Sequence, residues 1–137
     1  ELMYRGIGVK MLRDGGHGEF AVAALTSLLF ALSHSVNLLS GQSIKSVGPT
    51  VIYTISFGVL MYLTVRSVGF LVAAVVLHGL TDPTTILATG GIDEITAAGS
   101  DNILLTAAGG FTLVLTLSGF VLLAFVRGRV SRATVVQ

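Results

Sequence analysis

Four apolar runs, separated by short polar or glycine-rich breaks, organise the chain. The first, residues 20–39, supplies 20 positions, the length at which a helix rising about 1.5 Å per residue crosses about 30 Å of hydrocarbon. A polar connection over residues 41–48 leads to Pro49, which suits the first position of a helix because its missing N–H is unpaired there anyway. The second run, residues 49–65, is short for a crossing and carries Thr54, Ser56, Gly58 and Thr64, small residues that let helices approach closely. Arg66-Ser67-Val68-Gly69 then reads as a tight reversal into the third run, residues 70–89. A polar stretch over residues 90–102, holding Asp93, Glu94 and Asp101, separates it from the fourth, residues 103–126. That last run has no ionisable residue and is interrupted by Gly109-Gly110 and Ser118-Gly119, so its predicted task is packing.

Ahead of these runs, residues 1–13 pass from Leu2, Met3, Ile7, Val9 and Met11 to Lys10 and Arg13, and Asp14-Gly15-Gly16-His17-Gly18 ends the segment. This is the pattern of a helix leaving the membrane on the cytoplasmic side, one expected to have begun before Glu1. The predicted fold is therefore all-α: a polytopic transmembrane bundle of four complete spans plus the end of a preceding helix. All of residues 1–137 fall in a single, N-terminally truncated domain.

Composition and charge agree with an integral membrane protein and add an orientation. Hydrophobic residues make up 53% of the chain and charged residues 11%, against about a quarter charged in soluble domains. If the chain ends in the cytoplasm, Arg5, Lys10, Arg13, Arg66, Arg127, Arg129 and Arg132 share that side and only Lys45, of the 8 basic residues, lies opposite, as the positive-inside rule asks. Both ends of the chain are accordingly expected to be cytoplasmic, with Tyr62 near Arg66 as an interfacial anchor. The lipid bilayer is the expected surrounding and no nucleic-acid partner is expected, although the net charge of +1 by itself says nothing about nucleic acid. Cysteine is absent, which removes disulfides, thiolate metal sites and a cysteine nucleophile together.

Against this apolar background a few polar residues stand out. His78 and Asp82, four apart in the third run, share one face of a helix, and an ionisable pair in hydrocarbon is costly unless paired, hydrated or bound. His34 follows Phe30 by four in the first run, and Glu1 precedes Arg5 by four. Helical rise puts Glu1 about 18 Å in from Arg13, His34 about 21 Å in from residue 20 and His78 about 15 Å in from Val68, a common depth on three helices. Two imidazoles and two carboxylates at one level suit a divalent metal, with His34, His78 and Asp82 as ligands and water in the fourth position. The same groups also suit metal-free activation of water, a glutamate taking the proton and a histidine or Asp82 hydrogen-bonding the oxyanion. Arg5 can pair with Glu1 or orient a substrate carboxylate. The plainer reading of Glu1 and Arg5 is a helix-stabilising ion pair, and of His17 a hydrated histidine in a polar turn.

These residues also resemble a known set. Glu1-Leu2-Met3-Tyr4-Arg5 resembles the second half of an E-E-x-x-x-R motif, Phe30-Ala31-Leu32-Ser33-His34 an F-x-x-x-H motif, and His78-Gly79-Leu80-Thr81-Asp82 an H-x-x-x-N/D motif. In that order, on three helices, they resemble the CPBP family of CAAX-processing and bacteriocin-processing intramembrane endopeptidases. The resemblance implies an intramembrane endopeptidase of a microbial cell membrane that cleaves a membrane-associated protein or peptide. It implies catalytic roles for Glu1, Arg5, His34, His78 and Asp82, with Zn2+ held by His34, His78 and Asp82. Register puts Glu1 at the second glutamate of the motif, so the family's principal base would precede it. Asp82 stands where asparagine is commoner, and its extra negative charge would favour a metal. The competing functions are a non-catalytic immunity or interaction protein of the same fold and a proton or ion carrier.

Overall fold

The computed structural model describes residues 1–89 and 103–130, with backbone alone over 83–89, 104–106 and 108. The expected acidic connection with Asp93, Glu94 and Asp101, and Arg132, lie outside the described residues. Every regular element among the described residues is helical. Leu2–Gly8 is a π-helical stretch that runs directly into α1, Val9–Asp14. Then come α2, Glu19–Ser33, with a 3₁₀ extension His34–Leu38; α3, Ile44–Val68; α4, Leu71–Thr89; and α5, Ile103–Phe125.

Local chemistry explains several boundaries. Ser43 caps α3, its Oγ accepting the Ser46 N–H at 3.3 Å, so the helix starts at Ile44 and Pro49 lies inside it rather than opening it. The polar stretch read as a connection is thus largely the first turns of α3. Gly69 ends that helix with φ 87°, a left-handed conformation that only glycine adopts without strain, and its N–H bonds Val65 O at 2.9 Å. Pro83 does not stop α4, which continues to Thr89.

Two helices, Glu19–Leu38 and Ile44–Val68, are long and apolar enough to cross a membrane; the apolar stretches Leu71–Asp82 and Gly109–Phe125 are shorter. The central element is α3, which contacts α2, α4, α5 and the π-helical stretch. One buried cluster, Val9, Val22, Ala23, Tyr62 and Val126, ties the first segment and α2 to α3 and the end of α5. A second, Phe30, Phe57, Met61 and Ala74, joins α2, α3 and α4 beneath the histidines. Close approach depends on small residues. A Cβ at Gly58 would meet the Ser27 Cβ at 2.9 Å, and one at Gly119 would run into Ser56 Oγ.

Candidate active site

Three elements build the site, and each brings one motif. The π-helical stretch carries Glu1 and Arg5 at its start, and such wide turns recur at functional positions. The end of α2 carries Phe30 and His34, and α4 carries His78 and Asp82. The groups meet in a line. Arg5 Nε lies 3.3 Å from Glu1 Oε2, His78 Nδ1 donates to Glu1 Oε1 at 2.8 Å, and His78 Nε2 lies 3.4 Å from Asp82 Oδ1. The burial is graded along this line. The Arg5 and Glu1 side chains are 0% and 3% exposed, His78 19% and Asp82 64%, so the series runs from a dry ion pair to an open carboxylate.

The partners also fix the imidazole tautomers. A carboxylate only accepts, so Nδ1 of His78 carries a proton toward Glu1, while Nε2 faces the Asp82 carboxylate. His34 Nδ1 lies 3.1 Å from the Phe30 carbonyl oxygen, again an acceptor, so its Nε2 is the uncommitted nitrogen. Both rings meet Phe30 edge-on, with centroids at 5.0 Å for His34 and 5.4 Å for His78. Phe57 packs against His78 from α3 at 5.3 Å. The Arg5 guanidinium stands over the Phe30 ring at 4.5 Å, and Tyr4 meets that ring edge-on at 5.5 Å.

The expected convergence is therefore met in part. Glu1, Arg5, His78 and Asp82 form one linked set, and His34 reaches it through the Phe30 ring they share. The ligand set His34, His78 and Asp82 is not assembled, and among the described residues no group of three His, Asp or Glu side chains is placed to hold a metal ion. The physical reason is visible in the contacts: the Phe30 ring packs against both imidazoles, while Asp82 and Glu1 take the two nitrogens of His78. The tautomers suit metal ligation; the placement does not. His17 is exposed, in keeping with a loop histidine.

Sequence reasoning missed Glu19. Its side chain is 1% exposed and accepts from Arg13 Nε at 2.9 Å, from Arg13 Nη2 at 2.6 Å and from the Tyr62 hydroxyl. The hydrogen bond to Glu19 holds the Arg13 guanidinium above its usual range. Tyr62, expected as an interfacial anchor, is 2% exposed and inside this cluster, because the buried carboxylate offers its hydroxyl a stronger acceptor than the interface would. A carboxylate directly before an apolar run, between Arg13 and Arg66 at the same membrane boundary, was the available signal.

The match to known proteins falls on the same elements. Residues 1–84 match the family described as type II CAAX prenyl endopeptidase Rce1-like. The chain belongs to this family. The match ends just beyond Asp82, so it takes in all three motif-bearing segments and the whole linked set. This type II CAAX prenyl endopeptidase family, together with the apolar helices, makes the chain a membrane protein. Searches of curated proteins and of solved structures each returned no significant match.

Proposed function

We propose that the protein is an intramembrane endopeptidase that hydrolyses a peptide bond of a membrane-associated protein or peptide, with His78 as its proton carrier. The observation that supports this most is the Glu1–His78 hydrogen bond of 2.8 Å, made from a carboxylate nearly sealed from solvent. In such a pair the carboxylate orients the imidazole and stabilises it when protonated, while the outer nitrogen does the chemistry. Arg5 pairs with the other oxygen of Glu1 at 3.3 Å, and the dry surroundings strengthen both interactions.

The proposed reaction follows from the outer nitrogens. Once the exposed Asp82 side chain swings away from the ring, water bound to His78 Nε2 and Asp82 Oδ1 attacks the scissile carbonyl carbon, its proton passing to His78 Nε2 as the C–O bond forms. His34 Nε2, which faces away from the Phe30 carbonyl, donates to the oxyanion, a role that requires the ring in its imidazolium form. Collapse of the tetrahedral intermediate breaks the C–N bond, and His78 returns its proton to the departing amine. No step requires a metal; the zinc implied by the resemblance becomes a question for measurement.

The four-span arrangement belongs to the same proposal. At about 1.5 Å per residue, α4 and α5 extend about 28 and 34 Å, enough to cross alongside α2 and α3. Arg66 Nη2 donates to the Arg127 carbonyl at 2.8 Å, so these basic residues gather at one end of the bundle, as a cytoplasmic face would have it. The test is cleavage of CAAX-type and leader-type peptides by full-length protein and its His78→Ala variant in proteoliposomes. His78→Ala should lower the rate by roughly 100- to 10,000-fold with insertion unchanged. Equal rates for the two proteins would end the assignment, and a preparation that stays inactive but loses stability in His78→Ala would favour a non-catalytic protein of this fold.

A further inference from the structure

At the end of the bundle that holds Arg66 and Gly69 lies a cavity of about 320 Å3 that the proposed reaction does not use. Arg5, Arg13, Arg66, Glu19 and Tyr62 supply its polar wall. Val9, Val65 and Val130 supply an apolar one. The charges do not cancel. Glu1 offsets Arg5, and Glu19 offsets one of Arg13 and Arg66, which leaves one positive charge. Arg66 is the cation with capacity to spare: its Nη1 lies 3.9 Å from Glu19 Oε2, beyond hydrogen-bond reach, and its side chain is 37% exposed. Arg5 Nη1 and Nη2, deeper in, have no hydrogen-bond partner.

From this geometry we infer that the cavity binds the phosphate diester of a lipid headgroup. A diester carries the single negative charge that the wall lacks, and phosphate oxygens accept from cationic donors in charge-assisted hydrogen bonds. Depth argues for a lipid as the source. Glu19 opens one candidate span and Arg66 lies in the last turn of the other, so the cavity sits where hydrocarbon gives way to headgroups. Val68 and Phe70, 47% and 57% exposed beside Gly69, offer apolar surface for the attached chains. Basic pockets between helices on the cytoplasmic side are recurrent headgroup sites.

The probes are short-chain phosphatidylglycerol and inorganic phosphate, titrated separately into the full chain in neutral detergent, with retention read by native mass spectrometry and binding by thermal shift. Phosphatidylglycerol should bind, and Arg66→Gln should weaken it about fivefold, the effect of one cation near a phosphate. Arg66→Lys should recover most of that loss, which separates charge from folding, and Lys45→Gln, at the far end of α3, should change nothing. Inorganic phosphate binding as tightly as the lipid would overturn the lipid assignment. Equal lipid affinity in wild type and Arg66→Gln would overturn the site itself, as would a loss that Arg66→Lys does not recover.

Discussion

A Cβ added at Gly58 would stand 2.6 Å from Arg5 Nη2 and 2.9 Å from the Ser27 Cβ, so this position sets how far the guanidinium can reach under Phe30 and beside Glu1. Gly58→Ala should therefore cost about 1–3 kcal/mol through overpacking and, by displacing Arg5, also slow cleavage. Thermal melting and peptide cleavage on one preparation check both parts; a variant with wild-type values for each would mean Arg5 is not fixed as described. At the other end of the linked set, Asp82→Asn removes a charge but keeps an oxygen for the water. Cleavage should persist within about tenfold if Asp82 works by polar contact. Parallel loss of bound zinc and of cleavage would instead make Asp82 a metal ligand.

At the scale of elements, helix contact rests on small residues and on hydroxyls bonded to backbone. Ser56 Oγ donates to the Thr116 carbonyl at 2.6 Å and the Leu115 carbonyl at 3.2 Å, crossing from α3 to α5 just where Gly119 leaves room. In hydrocarbon, such close packing replaces the hydrophobic effect as the force between helices. Gly119→Leu has no space for its side chain, since even a Cβ would run into Ser56 Oγ, and should release α5 from α3. Proteolysis in detergent reads this: cleavage next to α5 should quicken several-fold, and an unchanged digestion pattern would contradict the α3–α5 contact.

Across the whole molecule, Glu19 is the knot at one end of the bundle. It joins Arg13 in the last turn of α1, Tyr62 on α3 and, at 3.9 Å, Arg66. Its own backbone N–H donates to the Gly128 carbonyl at 2.9 Å, just beyond α5. Glu19→Ala would leave cations and a hydroxyl without their shared acceptor and should cost about 3–5 kcal/mol, whereas Lys10→Ala, in an exposed pair with Asp14, should cost at most about 1 kcal/mol. Denaturant unfolding of both variants in detergent makes the comparison, and similar losses would remove the special role of Glu19. The orientation has its own check. Cysteines placed at His17 and Ser43, both exposed and at opposite ends of α2 and its extension, should label from opposite sides of a sealed vesicle.

The helical class, the approximate runs and the membrane setting were legible in the sequence because they follow from the length and apolar content of contiguous segments, which the bilayer selects directly. The pairing of Glu1 with Arg5 and of His78 with Asp82 was legible for a related reason: an ionisable group in an apolar run is costly unless it finds a partner, and helical spacing of four supplies one. Helical rise even brought Glu1 and His78 to one depth. Depth does not give facing, however, and facing decided the rest. Only the packed structure turned Phe30 against both imidazoles, set His78 between Glu1 and Asp82, and drew Tyr62 inward to Glu19. Ser43 likewise claimed the polar stretch before Pro49 for a helix through a cap three residues away, a local bond that outweighed composition. Single residues and their spacing determine what must be buried or paired; which partner each one finds depends on contacts between segments far apart in the chain, and only the tertiary structure holds those.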